Sequence, residues 1–189
     1  MNVLILSGSR NPKGQTGRAA EALAAGLHEA GAKTETVYLP ALRLERCRQC
    51  DEAGWGLCRK EGRCIIDDDF AGLVERLRAA DAAVFATPVY YGDLAESLRA
   101  FTDRLRRTCF FAPAKSGLTD KPAVGICVAG GGGGGGPSCT VSLEKVLRII
   151  GFDVVDLVPV RRQNLDHKCE VLRLTGRWLA TRPTSGQSR

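Results

Sequence analysis

The sequence has few aromatic residues and no long hydrophobic run. Its six Phe, three Tyr and two Trp among 189 residues are few for a protein that stacks nucleic-acid bases along a groove, so nucleic acid is a disfavoured ligand. No segment approaches the roughly 18 consecutive apolar residues of a membrane span, and no membrane partner is expected. The chain opens on a strand-like run without the basic and cleavable segments of a secretory signal. These absences predict a cytoplasmic location.

What the sequence does contain is typical of one globular domain with a modest positive charge. Hydrophobic residues make up 44% of the chain and charged residues 25%, which is enough to bury a core and argues against disorder. The 27 Lys and Arg against 21 Asp and Glu give a net charge of +6, which favours anionic ligands in general. We expect one domain over residues 1–180 and a flexible tail over 181–189.

Apolar runs and helical periodicities alternate along the chain. They predict strands over 2–7, 34–39, 82–86, 123–129 and 154–160, and helices over 16–30, 70–80, 92–107, 137–150 and 165–180. The carboxylates Asp67–Asp69 are interpreted as a helix cap. This alternation predicts a three-layer α/β domain around a parallel sheet, with ligands beyond the carboxyl ends of the strands.

Eight cysteines require an explanation other than structural disulfides, because a reducing compartment favours metal-binding or redox-active thiols. Four of them fall in a polar loop inserted after the second strand, at residues 41–66, with two, seven and five residues between Cys47, Cys50, Cys58 and Cys64. Four such thiols suit an iron–sulfur cluster or a tetrahedral zinc ion. A metal-free loop whose thiols pack as small hydrophobes is the third interpretation.

Three loops follow the first, third and fourth predicted strands, so a parallel sheet would gather them at one edge. The first, Ser7–Gly17, carries glycines and hydroxyls before a helix start, a pattern typical of a site for a single phosphate. The second contains Pro88, Tyr90 and Tyr91, which would form a stiff wall for a planar heterocycle. The third is a run of seven glycines, Gly130–Gly136, whose exposed backbone N–H groups suit the edge of a flat ligand.

These three segments, GSRNPKGQT, TPVYYGDLAESLRAFTDRL and AGGGGGGG, resemble those of the NADPH-dependent FMN reductase family, and the resemblance covers nearly the whole chain. It implies a flavodoxin-like, doubly wound five-stranded parallel sheet of order 2-1-3-4-5. The Cys-rich insertion most resembles that of the iron–sulfur flavoproteins, and it implies a [4Fe–4S] cluster on the four clustered cysteines. Those proteins have two residues between the second and third cysteines, where this chain has seven.

The resemblance also implies FMN as the cofactor and a homodimer or homotetramer as the assembly. It assigns the FMN phosphate to Ser9, Arg10, Gln15 and Thr16. It assigns the borders of the isoalloxazine ring to Pro88, Val89, Tyr90, Tyr91, Gly92, Gly130, Gly131, Gly132 and Gly133.

The expected activity is that of an FMN-dependent oxidoreductase, in which NADH or NADPH delivers hydride to the flavin. The flavin would pass electrons to a quinone, a free flavin, an iron centre or another small-molecule or protein acceptor, and no catalytic acid, base or nucleophile is named. A flavodoxin-like electron carrier is the main alternative, although such carriers are often acidic and this chain is basic. A redox or metal sensor built on the four clustered cysteines is a further alternative.

Overall fold

The computed structural model describes residues 1–111 and 116–182. Within these ranges the strands are β1 (Asn2–Ser7), β2 (Lys33–Tyr38), β3 (Ala82–Tyr90), β4 (Asp93–Leu94), β5 (Pro122–Ala129) and β6 (Asp153–Arg161). The α-helices are α1 (Gln15–Glu29), α2 (Leu57–Lys60), α3 (Phe70–Ala79), α4 (Glu96–Cys109), α5 (Gly136–Ile150) and α6 (Leu165–Thr181). None of the helices in these ranges has both the length and the apolar character needed to cross a membrane.

Five strands form one parallel sheet in the order β2-β1-β3-β5-β6. The predicted fold and strand order are therefore confirmed, with β5 and β6 as the predicted fourth and fifth strands. The predicted strand over 82–86 is longer than expected, because β3 continues to Tyr90 and Pro88 pairs in register with Val128 of β5. This extension places Pro88 and Tyr90 at the carboxyl end of a central strand.

The helix predicted over 92–107 begins later, at Glu96. Tyr91 and Gly92 both have positive φ, 51° and 79°, so the chain reverses there and Val89 pairs with Leu94 in the antiparallel β4. The apolar stripe that indicated a helix is nevertheless buried, with Leu98, Phe101 and Leu105 all inaccessible to solvent. Periodicity thus located the helix but missed the hairpin before it.

Two hydrophobic cores cover the two faces of the sheet. One contains the apolar faces of α3, α4 and α5, and the other contains those of α1 and α6. The central strands β1, β3 and β5 contribute side chains to both cores, which explains their nearly continuous hydrophobic sequences. Cys127 and Cys139 lie fully buried in the first core, and their mutual hydrogen bond and burial raise the pKa of Cys127.

The predicted Cys-rich insertion over 41–66 leaves the sheet after β2 and contains α2 as its one α-helix. The last predicted helix extends one residue further than expected, to Thr181. The predicted tail is described only as far as residue 182, so its residues 183–189 lie outside the described part of the chain.

Helices α1 and α6 pack through two glycines. A Cβ atom added to Gly176 would lie 2.2 Å from the carbonyl oxygen of Leu23, and one added to Gly26 would lie 2.0 Å from that of Arg173. Both distances are far below van der Waals contact, so any side chain would force the two backbones apart.

We therefore expect Gly176→Ala to lower the free energy of unfolding by about 1–3 kcal/mol, because the extra methyl group overpacks the interface. Gly72→Ala is the matched control. Gly72 lies exposed in α3, and a Cβ atom added there would have no neighbouring atom within 4 Å, so alanine should stabilise the protein by about 0.5–1 kcal/mol. Urea denaturation of both variants checks the contrast, and equal shifts would contradict it.

Candidate functional site

The ends of β1, β3 and β5 surround one cleft at the carboxyl edge of the sheet. Its lining comes from the three predicted loops and from the end of β5: Ser9, Gln15, Thr16, Pro88, Val89, Tyr90, Val128, Gly130, Gly131 and Gly134. Backbone and side-chain bonds tie these loops together, since Gly8 N–H donates to the carbonyl of Ala86 (2.8 Å) and Ser97 Oγ donates to the carbonyl of Gly8 (3.2 Å).

The loop after β1 folds tightly over the first turn of α1. A Cβ atom on Gly17 would lie 1.7 Å from the carbonyl oxygen of Pro12, so the loop reaches this position only because residue 17 is glycine. Within the loop, Ser9 Oγ donates to the carbonyl of Asn11 and accepts from the Asn11 N–H, both at 3.2 Å. These short-range bonds hold the Ser9 hydroxyl at the wall of the cleft.

Helix α1 begins at this cleft without a side-chain cap. Its N-cap residue, Gly14, has no side chain to accept a hydrogen bond, which leaves the first N–H groups of the helix free for an anion. Gln15 lines the same cleft, and its Oε1 atom is buried without a hydrogen-bond partner. A buried polar atom of this kind is costly unless a ligand satisfies it.

The loop after β3 forms the opposite wall. Thr87 Oγ1 accepts a hydrogen bond from the Ala95 N–H (3.0 Å), which ties the end of β3 to the start of α4. Tyr90 lines the cleft and is half-exposed, whereas Tyr91 is fully exposed outside it. Asp93 pairs with Arg99 below this loop. Burial opposes ionisation of Asp93, but the Leu94 N–H and the charge of Arg99 outweigh it and lower its pKa.

Two pairs of glycines in the seven-residue run differ in their surroundings. Gly133 and Gly135 have φ angles of 79° and 81°, and a Cβ atom on them would approach Gln163 Oε1 and Gly92 Cα to 2.6 and 2.7 Å. The fold itself therefore requires these two glycines. Gly130 and Gly134 have no such φ, and a Cβ atom added to either would meet no atom within 4 Å. Because both line the cleft, the space beside them is room for a ligand.

The four cysteines of the insertion line one pocket beside α4. This pocket is shared with Trp55, Ile66, Arg104 and Arg107. Desolvation and the negative charges that the other three cysteines would carry raise the pKa of the Cys50 thiol. Cys50 is exposed, and the other three are half-buried.

Arg104 of α4 connects this insertion to the rest of the domain. Its side chain is 1% exposed and forms a bidentate ion pair with Asp68, whose side chain is fully buried, at 2.6 and 2.9 Å. The same guanidinium donates to the carbonyl of Glu45 (3.0 Å) and to the sulfur of Cys64 (3.4 Å). It also stacks on Phe70, 4.2 Å from the ring centroid.

Burial opposes ionisation of Asp68, but the Arg104 guanidinium and the N–H groups of Glu45 and Phe70 outweigh it and lower the pKa of this carboxyl. The expected capping role of Asp67–Asp69 is thus largely replaced by other contacts. Asp69 occupies the N-cap position of α3 without a side-chain cap bond, and its carboxylate accepts the Arg43 N–H instead (2.7 Å). The bond from Phe70 N–H to Asp68 (3.2 Å) is the contact nearest to a cap.

The sequence profile of the NADPH-dependent FMN reductase family matches residues 1–163. The chain belongs to this family. Among curated relatives, an iron–sulfur flavoprotein of Methanosarcina thermophila is 33% identical over 130 residues, which cover 67% of this chain and 62% of that protein. The match thus spans less than two thirds of the relative's length.

Two solved structures share the fold of this FMN reductase family member. An NAD(P)H:quinone oxidoreductase of Methanothermobacter marburgensis superposes with a TM-score of 0.71 at 24% identity, covering 97% of this chain and 98% of that chain. A flavodoxin from the domain Archaea superposes with a TM-score of 0.61 at 13% identity, covering 95% and 96%. At these identities the likeness concerns the fold.

The cleft brings together eight of the predicted FMN-site residues of this family member: Ser9, Gln15, Thr16, Pro88, Val89, Tyr90, Gly130 and Gly131. Five others lie outside its lining, namely Arg10, Tyr91, Gly92, Gly132 and Gly133. Sequence reasoning missed Val128 and Gly134. Gly134 belongs to the same glycine run, but nothing in a run of identical residues indicates which ones face a ligand.

The cleft and the cysteine pocket each contain features that match the group expected there, FMN in the cleft and an iron–sulfur cluster in the pocket. The uncapped start of α1, the unpartnered Gln15 oxygen and the open space beside Gly130 and Gly134 fit FMN. In the pocket, four thiols supply the Cys₄ donor set of an iron–sulfur cluster.

Across the described ranges, no group of three or more His, Cys, Asp or Glu side chains is arranged to hold a single metal ion. The ligands of one zinc ion must converge to sulfur–zinc distances of about 2.3 Å. Cluster ligands can stay farther apart, because each thiolate binds a different iron. The four thiols, as the structure places them, therefore do not form a site for a single zinc ion.

Proposed function

We propose that this chain binds FMN in the cleft and acts as an NAD(P)H-dependent oxidoreductase. The flavin would pass electrons to a quinone, a free flavin, an iron centre or another acceptor. The observation that carries the proposal is the cleft itself, where an uncapped helix start faces two loops that leave room for a flat ligand. Membership of the FMN reductase family supports the same cofactor.

In this proposal the phosphate of FMN is bound by the start of α1. The free N–H groups of its first turn would donate to the phosphate oxygens, together with the hydroxyl of Thr16 and the NH₂ group of the Gln15 amide. Ser9 would join them by turning its O–H from the Asn11 carbonyl to the phosphate. The unpartnered Oε1 of Gln15 would accept a hydrogen bond from a hydroxyl group of the same ligand. Arg10 is exposed next to this loop and would add a positive charge without burying it. The phosphate would thus be bound mainly by neutral donors, and its position would determine where the rest of the cofactor lies in the cleft.

The isoalloxazine ring would lie between the end of β3 and the glycine run. Pro88 and Tyr90 would form the stiff side of the slot, while Gly130 and Gly134 would let the ring approach the backbone closely. When bound, the flavin supplies hydride acceptance and electron transfer. The protein would orient it through the lining of the cleft. The proposed homo-oligomer would cover Tyr91, which is fully exposed at the rim.

Anaerobic reduction distinguishes the reductase from an electron carrier. We expect the FMN-loaded chain to lose its visible flavin absorption within seconds of adding NADPH or NADH, since family membership implies that the flavin accepts hydride directly. Titration with riboflavin in place of FMN is the control for the phosphate site and should show much weaker binding. Absence of reduction by either nicotinamide, with FMN bound, would favour the carrier.

We also propose that Cys47, Cys50, Cys58 and Cys64 hold an iron–sulfur cluster. Their common pocket and the iron–sulfur flavoprotein among the chain's relatives support this.

Protein purified anaerobically should contain about four iron and four sulfide per chain, and Cys58→Ser should lose most of the iron, because a hydroxyl is a poor substitute for a thiolate ligand. Cys169→Ser is the matched control, since Cys169 is a half-buried cysteine on α6, away from the insertion. Its iron content should equal that of the native chain. Zinc in place of iron would contradict the cluster assignment.

A further inference from the structure

The sulfur of Cys64 accepts a hydrogen bond from a buried arginine. Nη2 of Arg104 lies 3.4 Å from Cys64 Sγ, within the range of an N–H···S bond, and Cys64 lines the same pocket as the other three cysteines of the insertion. A positively charged donor directed at one of four proposed cluster ligands is a specific arrangement, because charged hydrogen-bond donors near cluster sulfurs affect the reduction potential.

The guanidinium cannot easily move away from this sulfur. Nη1 donates to Asp68 Oδ2 (2.6 Å) and to the carbonyl of Glu45 (3.0 Å), and Nη2 donates to Asp68 Oδ1 (2.9 Å) as well as to Cys64. The flat face of the group rests on Phe70. The bidentate pair fixes the plane of the guanidinium, so the direction of the bond to the sulfur is fixed too.

Arg104 places a charged side chain on the buried face of its helix, where burying a charge costs free energy. It lies on the buried face of α4, next to Leu105 and one turn after Phe101, both inaccessible to solvent. A salt bridge in such a place contributes little to stability compared with an apolar pair of the same volume. What this salt bridge does provide is a connection between three parts of the chain. It links α4 to the residues before α3 through Asp68, and to the insertion through Glu45 and Cys64.

We propose that Arg104 is a positioning residue for the cysteine centre, an inference that rests on the proposed iron–sulfur cluster. It holds Cys64 at the pocket wall. Its positive charge and its hydrogen bond to the sulfur also stabilise the reduced cluster, which carries one more negative charge than the oxidised cluster. Loss of this contact shifts the midpoint potential of the cluster to more negative values.

The test compares Arg104→Lys and Arg104→Met with Arg106→Lys in the full chain. Lysine keeps the charge for Asp68 but lacks the second donor arm, whereas methionine removes both the charge and the donors. Arg106 is the matched control, since it lies on the same helix and pairs with Asp103 (3.0 Å). Two quantities are measured: the cluster midpoint potential, by EPR-monitored titration, and the hydrogen exchange of residues 41–66 in iron-free protein.

We expect a negative shift of the potential that is larger for Arg104→Met than for Arg104→Lys, and none for Arg106→Lys. Exchange across residues 41–66 should be at least about tenfold faster in both Arg104 variants than in the control, because one ordered anchor is lost. If Arg104→Met does not fold, the comparison is made between Arg104→Lys and Arg106→Lys alone. Faster exchange with an unchanged potential would reduce Arg104 to a structural role and overturn the proposal.

The failure of the proposed cluster gives a different result. Native protein without iron, purified anaerobically, would remove the cluster but not the link between Arg104 and the insertion. The exchange comparison in iron-free protein would then test only the link to the insertion, and the proposed effect on the potential would fall with the cluster. Equal exchange in the Arg104 and Arg106 variants would show that Arg104 does not hold the Cys64 segment either.

Discussion

FMN is expected to bind about 100-fold more weakly to Gly134→Val than to the native chain, while the stability of the cofactor-free protein stays unchanged. A Cβ atom added to Gly134 would have no neighbouring atom within 4 Å, and the φ of Gly134 is not in the left-handed region, so we expect the fold to tolerate valine. The side chain would instead fill the space reserved for the flat ligand, and overpacking of about 3 kcal/mol corresponds to about 100-fold in affinity.

Fluorescence titration with FMN measures this loss, and thermal unfolding of the cofactor-free variant checks its stability. Gly132→Val is the matched control from the same glycine run. A Cβ atom added to Gly132 would also have open space around it, but Gly132 does not line the cleft. We expect native-like affinity for Gly132→Val, and equal losses in the two variants would mean that the flavin does not occupy the slot beside Gly134.

Asp68→Ala is expected to lower the free energy of unfolding by about 3–5 kcal/mol, because it leaves the Arg104 guanidinium buried without its counter-charge. Both side chains of this pair are essentially inaccessible, at 1% and 0% exposure, so water cannot replace the carboxylate. The insertion should loosen at the same time, since Asp68 also accepts the Glu45 N–H (2.8 Å).

Chemical denaturation measures the free energy of unfolding of Asp68→Ala, and Asp67→Ala at the neighbouring position is the matched control. Asp67 is exposed, and its replacement should change the free energy of unfolding by less than about 0.5 kcal/mol. The double variant Asp68→Leu with Arg104→Met should recover most of the stability, because it removes the unpaired charge as well. No recovery in the double variant would mean that the contacts to the insertion, rather than the buried charge, carry the loss.

The order of strands and helices followed from the sequence because each element has its own local signal. The buried runs of β1, β3 and β5 and the periodic helices around them are readable without long-range information, and the glycine at 151 ends α5 as a left-handed cap (φ 110°). The hairpin of β3 and β4 was not predicted because it depends on a positive φ at Tyr91, and a tyrosine in the sequence does not indicate that conformation.

The candidate cleft was predictable in outline and not in detail. Parallel strands bring their carboxyl ends to one edge, so the three loops were expected to meet, and they do. Which glycines line the cleft depends on distances to residues far along the chain, such as Gln163 beside Gly133. The role of Arg104 was equally hidden, because nothing near it in sequence indicates that Asp68 and Cys64, 36 and 40 positions away, meet it in a buried pair.

By itself the sequence determined the layered α/β architecture, the three loops that follow its strands and the clustering of four cysteines in one insertion, because these depend on composition and spacing within short segments. Only the tertiary structure decided which loop residues share the cleft and that the four thiols line one pocket. It also decided that a buried arginine contacts one of these thiols. The physical reason is that burial, close approach and hydrogen-bond direction arise between residues distant in the chain, where local patterns carry no information.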